Sequence, residues 1–339
     1  MIRSSRAWTI LQLLWLITCD DFATFVLPNT AFGTFGALSS SLLTTVPPSS
    51  SSSSSSSSTS TDDYRRLVLL RLPATILFNW SNLLIFDLAN QRLPDSVAED
   101  ALNKPWRPIP RGLLTSTQMR RCMLLAIPLV LGVNHFWLHV GTETSLLFVL
   151  TWLYNDLQGG DESWVLRNVI IAAAFGVYNL GSLKVAGGVG VDGSAGTGTG
   201  TGTRTGTTKM TPLGVAWVVV ISGVILATMQ VQDLKDVAGD RSRGRLTAPL
   251  VLGDRLARWT IALPVLFWSV VCSLIWGPRL WGLPTVTLGI LVAYRCVTPS
   301  SPSPSPSEGQ GDNTKRLRDR RTWQLWAFWT ATLYALPCM

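Results

Sequence analysis

Apolar runs of about a bilayer's thickness recur along this chain, separated by short polar connections rich in arginine, proline or glycine. A bilayer core needs roughly 17–25 mostly apolar residues per helix. The runs predict nine helices, near 8–38, 64–90, 118–140, 143–158, 164–186, 212–233, 256–276, 280–298 and 322–338. The first is expected to break around Pro28, and the fourth and ninth are short. Backbone amides in lipid find no water, so helices are the elements that satisfy them. The expected fold is therefore all-α, a polytopic membrane helix bundle forming one domain over 1–339. Poly-serine, Gly-Thr and Ser-Pro tracts at 47–61, 193–208 and 300–314 interrupt it. Such polar tracts bury too little surface to offset their ordering entropy, which predicts disordered insertions.

Composition agrees with the pattern. Only 14% of the 339 residues are charged, against about 25% in soluble domains. The net charge of +8 could suggest a nucleic-acid surface. Most of the 28 Lys and Arg, however, fall before the first helix, beside the loops after even-numbered helices, or in those loops. That bias reads as topology and puts this face in the cytosol. It leaves no nucleic-acid role and no obligate protein partner evident. The five cysteines are widely spaced, in or beside apolar runs, and suggest neither a disulfide framework nor a zinc site. The start, MIRSSRAWTILQLLWLITCDDFATF, imitates a signal peptide. It lacks a small-residue cleavage site and is interrupted by Asp20 and Asp21, so a retained first helix is expected.

Two polar clusters stand out on the cytosolic face. In the second along the chain, DLKDVAGDRSRGRLT, a long apolar run ends in Asp233, Asp236 and Asp240. Offsets of three and four place them on one face of a helix. Carboxylates so close repel unless a cation sits among them, and hard oxygen donors suit Mg²⁺. Lys235 lies between them. A solvated acidic helix end is the plain alternative, but ionisable groups ending a membrane span are costly and usually functional. In the first along the chain, DLANQRLPDSVAEDALNKPWRPIPRG, Asp87, Asn90, Gln91, Asp95, Glu99 and Asp100 precede a proline-rich loop carrying Lys104 and Arg107. These two cations suit phosphate; a positive-inside loop is the competing reading. On the same face, Tyr154 and Arg167 could cap a pocket or bind phosphate, or serve a polar helix connection. His135 and His139 are i,i+4 but have no third ligand, and packing explains them better. Asp20 and Asp21 are lesser candidates, on the cost of intramembrane charge alone.

DLKDVAGDRSRGRLT resembles the second aspartate-rich motif of the UbiA superfamily of membrane prenyltransferases, and EDALNKPWRPIPRG resembles the segment just after that family's first. The resemblance covers nearly the whole chain outside the low-complexity tracts. It implies Mg²⁺ held by the two motifs, an isoprenoid diphosphate substrate, and ionisation to an allylic carbocation. Ser96, Leu93 and Arg92 replace the family's expected first-motif Asp, Asp and Asn. This altered first cluster is more like the fungal terpene-cyclase branch, in which the cation closes on its own chain. Transfer of the prenyl group to an aromatic or other acceptor is the alternative. The expected metal-binding and catalytic residues are Asp233, Asp236, Asp240 and Asp100, with Asp87, Asp95 and Glu99 as further ligands. Lys104, Arg107, Lys235, Asn90, Gln91, Arg167 and Tyr154 are expected to bind substrate. Farnesyl diphosphate is the first substrate expected, and the endoplasmic reticulum the expected membrane. An ion-coupled transporter fits less well, because transporter sites lie near the midplane on broken helices, whereas these acids sit at helix ends.

Overall fold

The computed structural model describes residues 6–39, 41–46, 57–189, 207–277, 282–298 and 308–338. Through them run α1 (Arg6–Leu38), β1 (Leu43–Val46), α2 (Ser57–Leu70), α3 (Leu72–Asn90), α4 (Pro94–Asn103), α5 (Ser116–Gly132) and α6 (Gly141–Asn155). There follow α7 (Gly159–Glu162), α8 (Trp164–Gly187), β2 (Thr207–Met210), α9 (Pro212–Thr228), α10 (Val237–Arg243), α11 (Ala248–Leu252), α12 (Asp254–Ile275), α13 (Gly282–Val297) and α14 (Glu308–Ala335).

Among the described residues helices fall within each predicted run, but not as nine single helices: 64–90 is divided between α2 and α3, and 118–140 leaves the α-helix at Val133. Among the described residues, five stretches are long and apolar enough to cross a membrane: Trp8–Leu38, Asp62–Asn90, Trp164–Gly187, Pro212–Lys235 and Asp254–Ile275. Helix α13 is apolar but shorter. Their starts follow local chemistry. Thr115 and Gln118 form a capping box on α5. Ser163 caps α8, accepting from the Leu166 amide at 3.2 Å. Thr211 caps α9, with Pro212 in its first turn.

The structure corrects several expectations. Helix α1 passes through Pro28 unbroken; the missing amide removes one hydrogen bond, which a packed membrane helix tolerates. A two-stranded antiparallel ribbon, β1 with β2, ties the α1–α2 connection to the α8–α9 connection. Its Thr- and Val-rich strands, LTTV and TTKM, suit extended backbone. Helix α2 starts at Ser57 and α14 at Glu308, and β2 starts at Thr207, all inside tracts expected to be disordered. Most of each tract lies outside the described residues.

Helix α1 packs on α3, α8 and α14, while α12 packs on α9 and α13. At Gly33, an added Cβ would meet the Ser182 backbone at 2.5 Å, so this α1–α8 crossing requires glycine. Asn79 bridges these helices, donating to Thr30 Oγ1 and accepting from Ser182 Oγ, both at 3.0 Å. Leu124, Leu125, Leu129, Phe136, Leu263 and Phe267 face outward. Such an apolar exterior belongs in lipid, and the protein is an integral membrane protein.

Candidate active site

Helix α3 stops at Asn90 and the chain re-enters helix at Pro94, whose fixed φ suits a first turn. The resulting α4 packs against α10, so the two polar clusters meet. Asn103 Nδ2 donates to the Asp236 carbonyl at 3.3 Å, across 133 positions of sequence. Arg243 donates to Ser96 Oγ at 2.7 Å and to Glu99 Oε2 at 3.1 Å. Arg245 donates to Glu99 Oε1 at 2.9 Å. Asp161, in α7, completes this clamp, accepting from Arg243 Nε at 3.0 Å and Arg245 Nε at 2.7 Å. Asp161→Ala leaves both guanidiniums half-paired. It is expected to cost about 1–3 kcal/mol, read as a lowered unfolding temperature of the detergent-solubilised protein.

The stretch from Met229 to Arg243 is not one continuous α-helix, as its acid spacing suggested. A 3-10 helix covers Met229–Lys235, the backbone turns at Asp236, and α10 begins at Val237. Asp residues compete with helix through local hydrogen bonds, and 3-10 segments often mark functional sites. The break gives the three acids different surroundings. Asp236 lines the cavity beside its ion-pair partner Lys235. Asp233 is fully buried and lies 3.0 Å from Arg167. Asp240 is buried and accepts from Arg245 at 3.3 Å.

The proline-rich loop seats Arg107 in the protein interior, 1% exposed. It donates to both Asp100 oxygens at 2.9 and 3.0 Å, to Asp21 at 3.0 Å and to Asp20 at 3.3 Å. Trp106 Nε1 also donates to Asp20, at 2.8 Å. The intramembrane acids of α1 thus belong to the site. Cost of burial was their only signal in sequence, which could not name the partner.

Electrostatics separate these groups. Burial and Asp233 push the Asp240 carboxyl up to about 7. Burial raises Asp100 despite Arg107. Burial works the same way on Asp236, but Lys235 and Lys104 outweigh it and hold that carboxyl below its ordinary value. Burial and Arg107 oppose the charge on Lys104, yet Asp21, Asp236 and Asp100 raise its pKa. At neutral pH the mouth therefore presents an ionised Asp236 beside a protonated Lys104.

Below this mouth lies a cavity of about 360 Å³. Its walls include Phe25, Phe86, Leu147, Tyr154, Ile171 and Tyr178. Phe25 stacks on Phe86 at 6.1 Å between ring centres, and Phe86 meets Tyr154 at 5.6 Å. Arg167 sits 5.7 Å over the Tyr154 ring.

Of the predicted residues, Asn90, Glu99, Asp100, Lys104, Arg107, Tyr154, Arg167, Lys235 and Asp236 line the cavity. Glu99 spends both oxygens on arginine. Gln91 does not line it: its Nε2 donates to the Ile17 carbonyl at 2.8 Å and fastens α3 to α1. Asp95 is exposed in the first turn of α4, where a carboxylate complements the helix dipole instead. Asp87 is buried against the Asp21 carboxyl, and neither of its oxygens meets an N–H donor among the described residues. Asp233 Oδ2 and Asp240 Oδ2 likewise lack hydrogen-bond partners. Buried, unpartnered carboxylate oxygens are the hard donors that a Mg²⁺ ion takes. Sequence reading passed over Asp161 and counted Arg243 and Arg245 only as loop charge, because their meeting depends on three separate connections.

Residues 86–307 match the UbiA prenyltransferase family. The chain is 28% identical over 223 residues to the fumagillin beta-trans-bergamotene synthase of Aspergillus fumigatus, covering 65% of this chain and 68% of that one. It is 31% identical over 208 residues to polyprenyl transferase eriF of Hericium erinaceus, covering 61% and 64%. Its fold is similar to that of a UbiA homolog from Archaeoglobus fulgidus solved bound to GPP and Mg²⁺. That match has a TM-score of 0.52 at 13% identity, over 96% of this chain and 99% of that one. With the family match covering more than half of its length, and the paired polar clusters meeting at one cavity, the chain belongs to the UbiA prenyltransferase family.

Proposed function

We propose that the protein ionises a prenyl diphosphate, farnesyl diphosphate first, and closes the resulting cation on itself to give a cyclic terpene. The observation that carries this reading is one cavity with acids and cations from both clusters at its mouth and aromatic rings on its walls. Asp100, Asp233, Asp236 and Asp240 would hold Mg²⁺, which neutralises charge on a departing diphosphate. Lys104 and Lys235 bind diphosphate oxygens, and Arg107 and Arg167 keep Asp100 and Asp233 in place. Breaking the C–O bond leaves its electron pair on diphosphate and an allylic cation in the cavity. The faces of Phe25, Phe86, Tyr154 and Tyr178 stabilise that cation, and the apolar walls exclude the water that would quench it. The balanced outcome is a cyclic hydrocarbon, diphosphate and a proton. Its place is the endoplasmic reticulum, with the mouth facing the cytosol, in line with the basic-residue bias.

Prenyl transfer is the second reading, favoured by the 31% identity to a polyprenyl transferase. The two readings separate in one experiment. Membranes given farnesyl diphosphate and Mg²⁺ without acceptor are expected to form a cyclic hydrocarbon. Turnover only after an aromatic acceptor is added would replace cyclisation with transfer.

A further inference from the structure

Helix α14 lies beyond the residues that match the family, 86–307. Its membrane-distal half, TKRLRDRRTWQ, is strongly basic. Helical spacing sorts that half into two faces. Lys315, Asp319, Thr322 and Trp326 point inward to the bundle. Asp319, 1% exposed, takes both Arg258 terminal nitrogens at 2.8 Å, and Lys315 pairs with Asp254 at 3.1 Å. Trp326 Nε1 donates to Thr228 at 3.0 Å. These contacts fasten α14 to α12 and to the end of α9.

The other face, Arg316, Arg320 and Trp323 at i, i+4 and i+7, lines the mouth of the cavity. Trp323 receives Lys235 over its ring at 4.7 Å, which ties this face to the second acidic cluster. The two arginines differ from the other cations lining the mouth. Lys104, Arg107, Arg167, Lys235 and Arg245 each face a carboxylate. Arg316 donates only to the Asn103 carbonyl, at 2.7 Å, and Arg320 has no hydrogen-bond or ion-pair partner among the described residues. Both are exposed. A helix held by these contacts thus turns onto one opening two guanidiniums that face no carboxylate among the described residues. Guanidinium forks favour phosphate oxygens.

We propose that Arg316 and Arg320 form an anion-binding pair for the outer phosphate of the prenyl diphosphate and of the diphosphate left after ionisation. The inference rests on the proposed function for its ligand. In it, α14 closes the side of the mouth that neither acidic cluster covers, and it retains diphosphate while the cation reacts.

The test uses the full chain in lipid nanodiscs, with inorganic pyrophosphate plus Mg²⁺ as the probe, titrated calorimetrically. Arg320→Gln removes no ion pair, so its fold is secure; Arg316→Gln/Arg320→Gln removes both charges. Arg321→Gln, an exposed neighbour outside the cavity lining, controls for the loss of one positive charge on the same helix. Charge-assisted bonds of this kind are strong enough for a loss of about tenfold in pyrophosphate affinity per arginine. R321Q is expected to bind as the unmodified protein does. Equal affinity in all variants, or an equal loss in R321Q, overturns the proposal. If the unmodified protein ionises no prenyl diphosphate, the functional reading fails instead; turnover together with unchanged pyrophosphate binding in R320Q and the double variant fails the α14 proposal alone.

Discussion

Asp236→Asn is expected to cut prenyl diphosphate turnover by about 10²–10³-fold, the usual cost of removing one preorganised electrostatic group. Of Asp233, Asp236 and Asp240, Asp236 is the one that lines the cavity. Lys235 and Lys104 overcome its burial and keep it ionised. Asparagine keeps the shape and loses the charge, so Lys104 and Lys235 lose their shared counter-ion and a metal loses a hard ligand. The fold should survive, since Asp236 is only half-buried. Initial rates with farnesyl diphosphate, beside matched unfolding temperatures, check this. Full turnover in the variant would remove Asp236 from the chemistry.

Arg107→Ala is expected to fail in stability before activity is reached. The side chain is buried and is the shared partner of Asp20, Asp21 and Asp100. Removing it strands three carboxylates from α1 and α4 around one void. Breaking a buried ion pair costs about 3–5 kcal/mol, a large part of a typical folding free energy. The variant should aggregate on extraction, or unfold far below the unmodified protein. Arg107→Lys keeps a charge but has too few donors in a fixed fork to serve three acids, and it should fall between the two. Unfolding of R107A at the unmodified protein's temperature would show that the network carries no load.

Much of the architecture is legible in sequence because lipid imposes length and polarity on every span. The runs at 164–186 and 212–233 reappear as α8 and α9 within a few residues. The acids of the second cluster are equally visible, since a charge ending an apolar run is conspicuous. What sequence hides is long-range. The spacing of Asp233, Asp236 and Asp240 is compatible with one helical face, but the 3-10 turn at Met229–Lys235 is a tertiary outcome. Asp20 and Asp21 are visible as anomalies, while their partner Arg107 is 87 and 86 positions away. Gln91 and Asp95 look like site residues because they sit between those that are; only packing reveals that one holds α1 and the other faces outward. The ribbon β1–β2 escapes for the same reason, each strand being four residues that pair across the fold.

On the reading proposed above, this cavity breaks the C–O bond of a prenyl diphosphate with no second substrate. The most direct measurement is inorganic pyrophosphate released per mole of farnesyl diphosphate consumed by the purified protein in nanodiscs, without acceptor, with Mg²⁺ and then with excess chelator. One pyrophosphate per substrate is expected with Mg²⁺, with an equal amount of cyclic hydrocarbon, and neither product under chelation. No pyrophosphate from farnesyl diphosphate, or from its shorter and longer homologues, would contradict it.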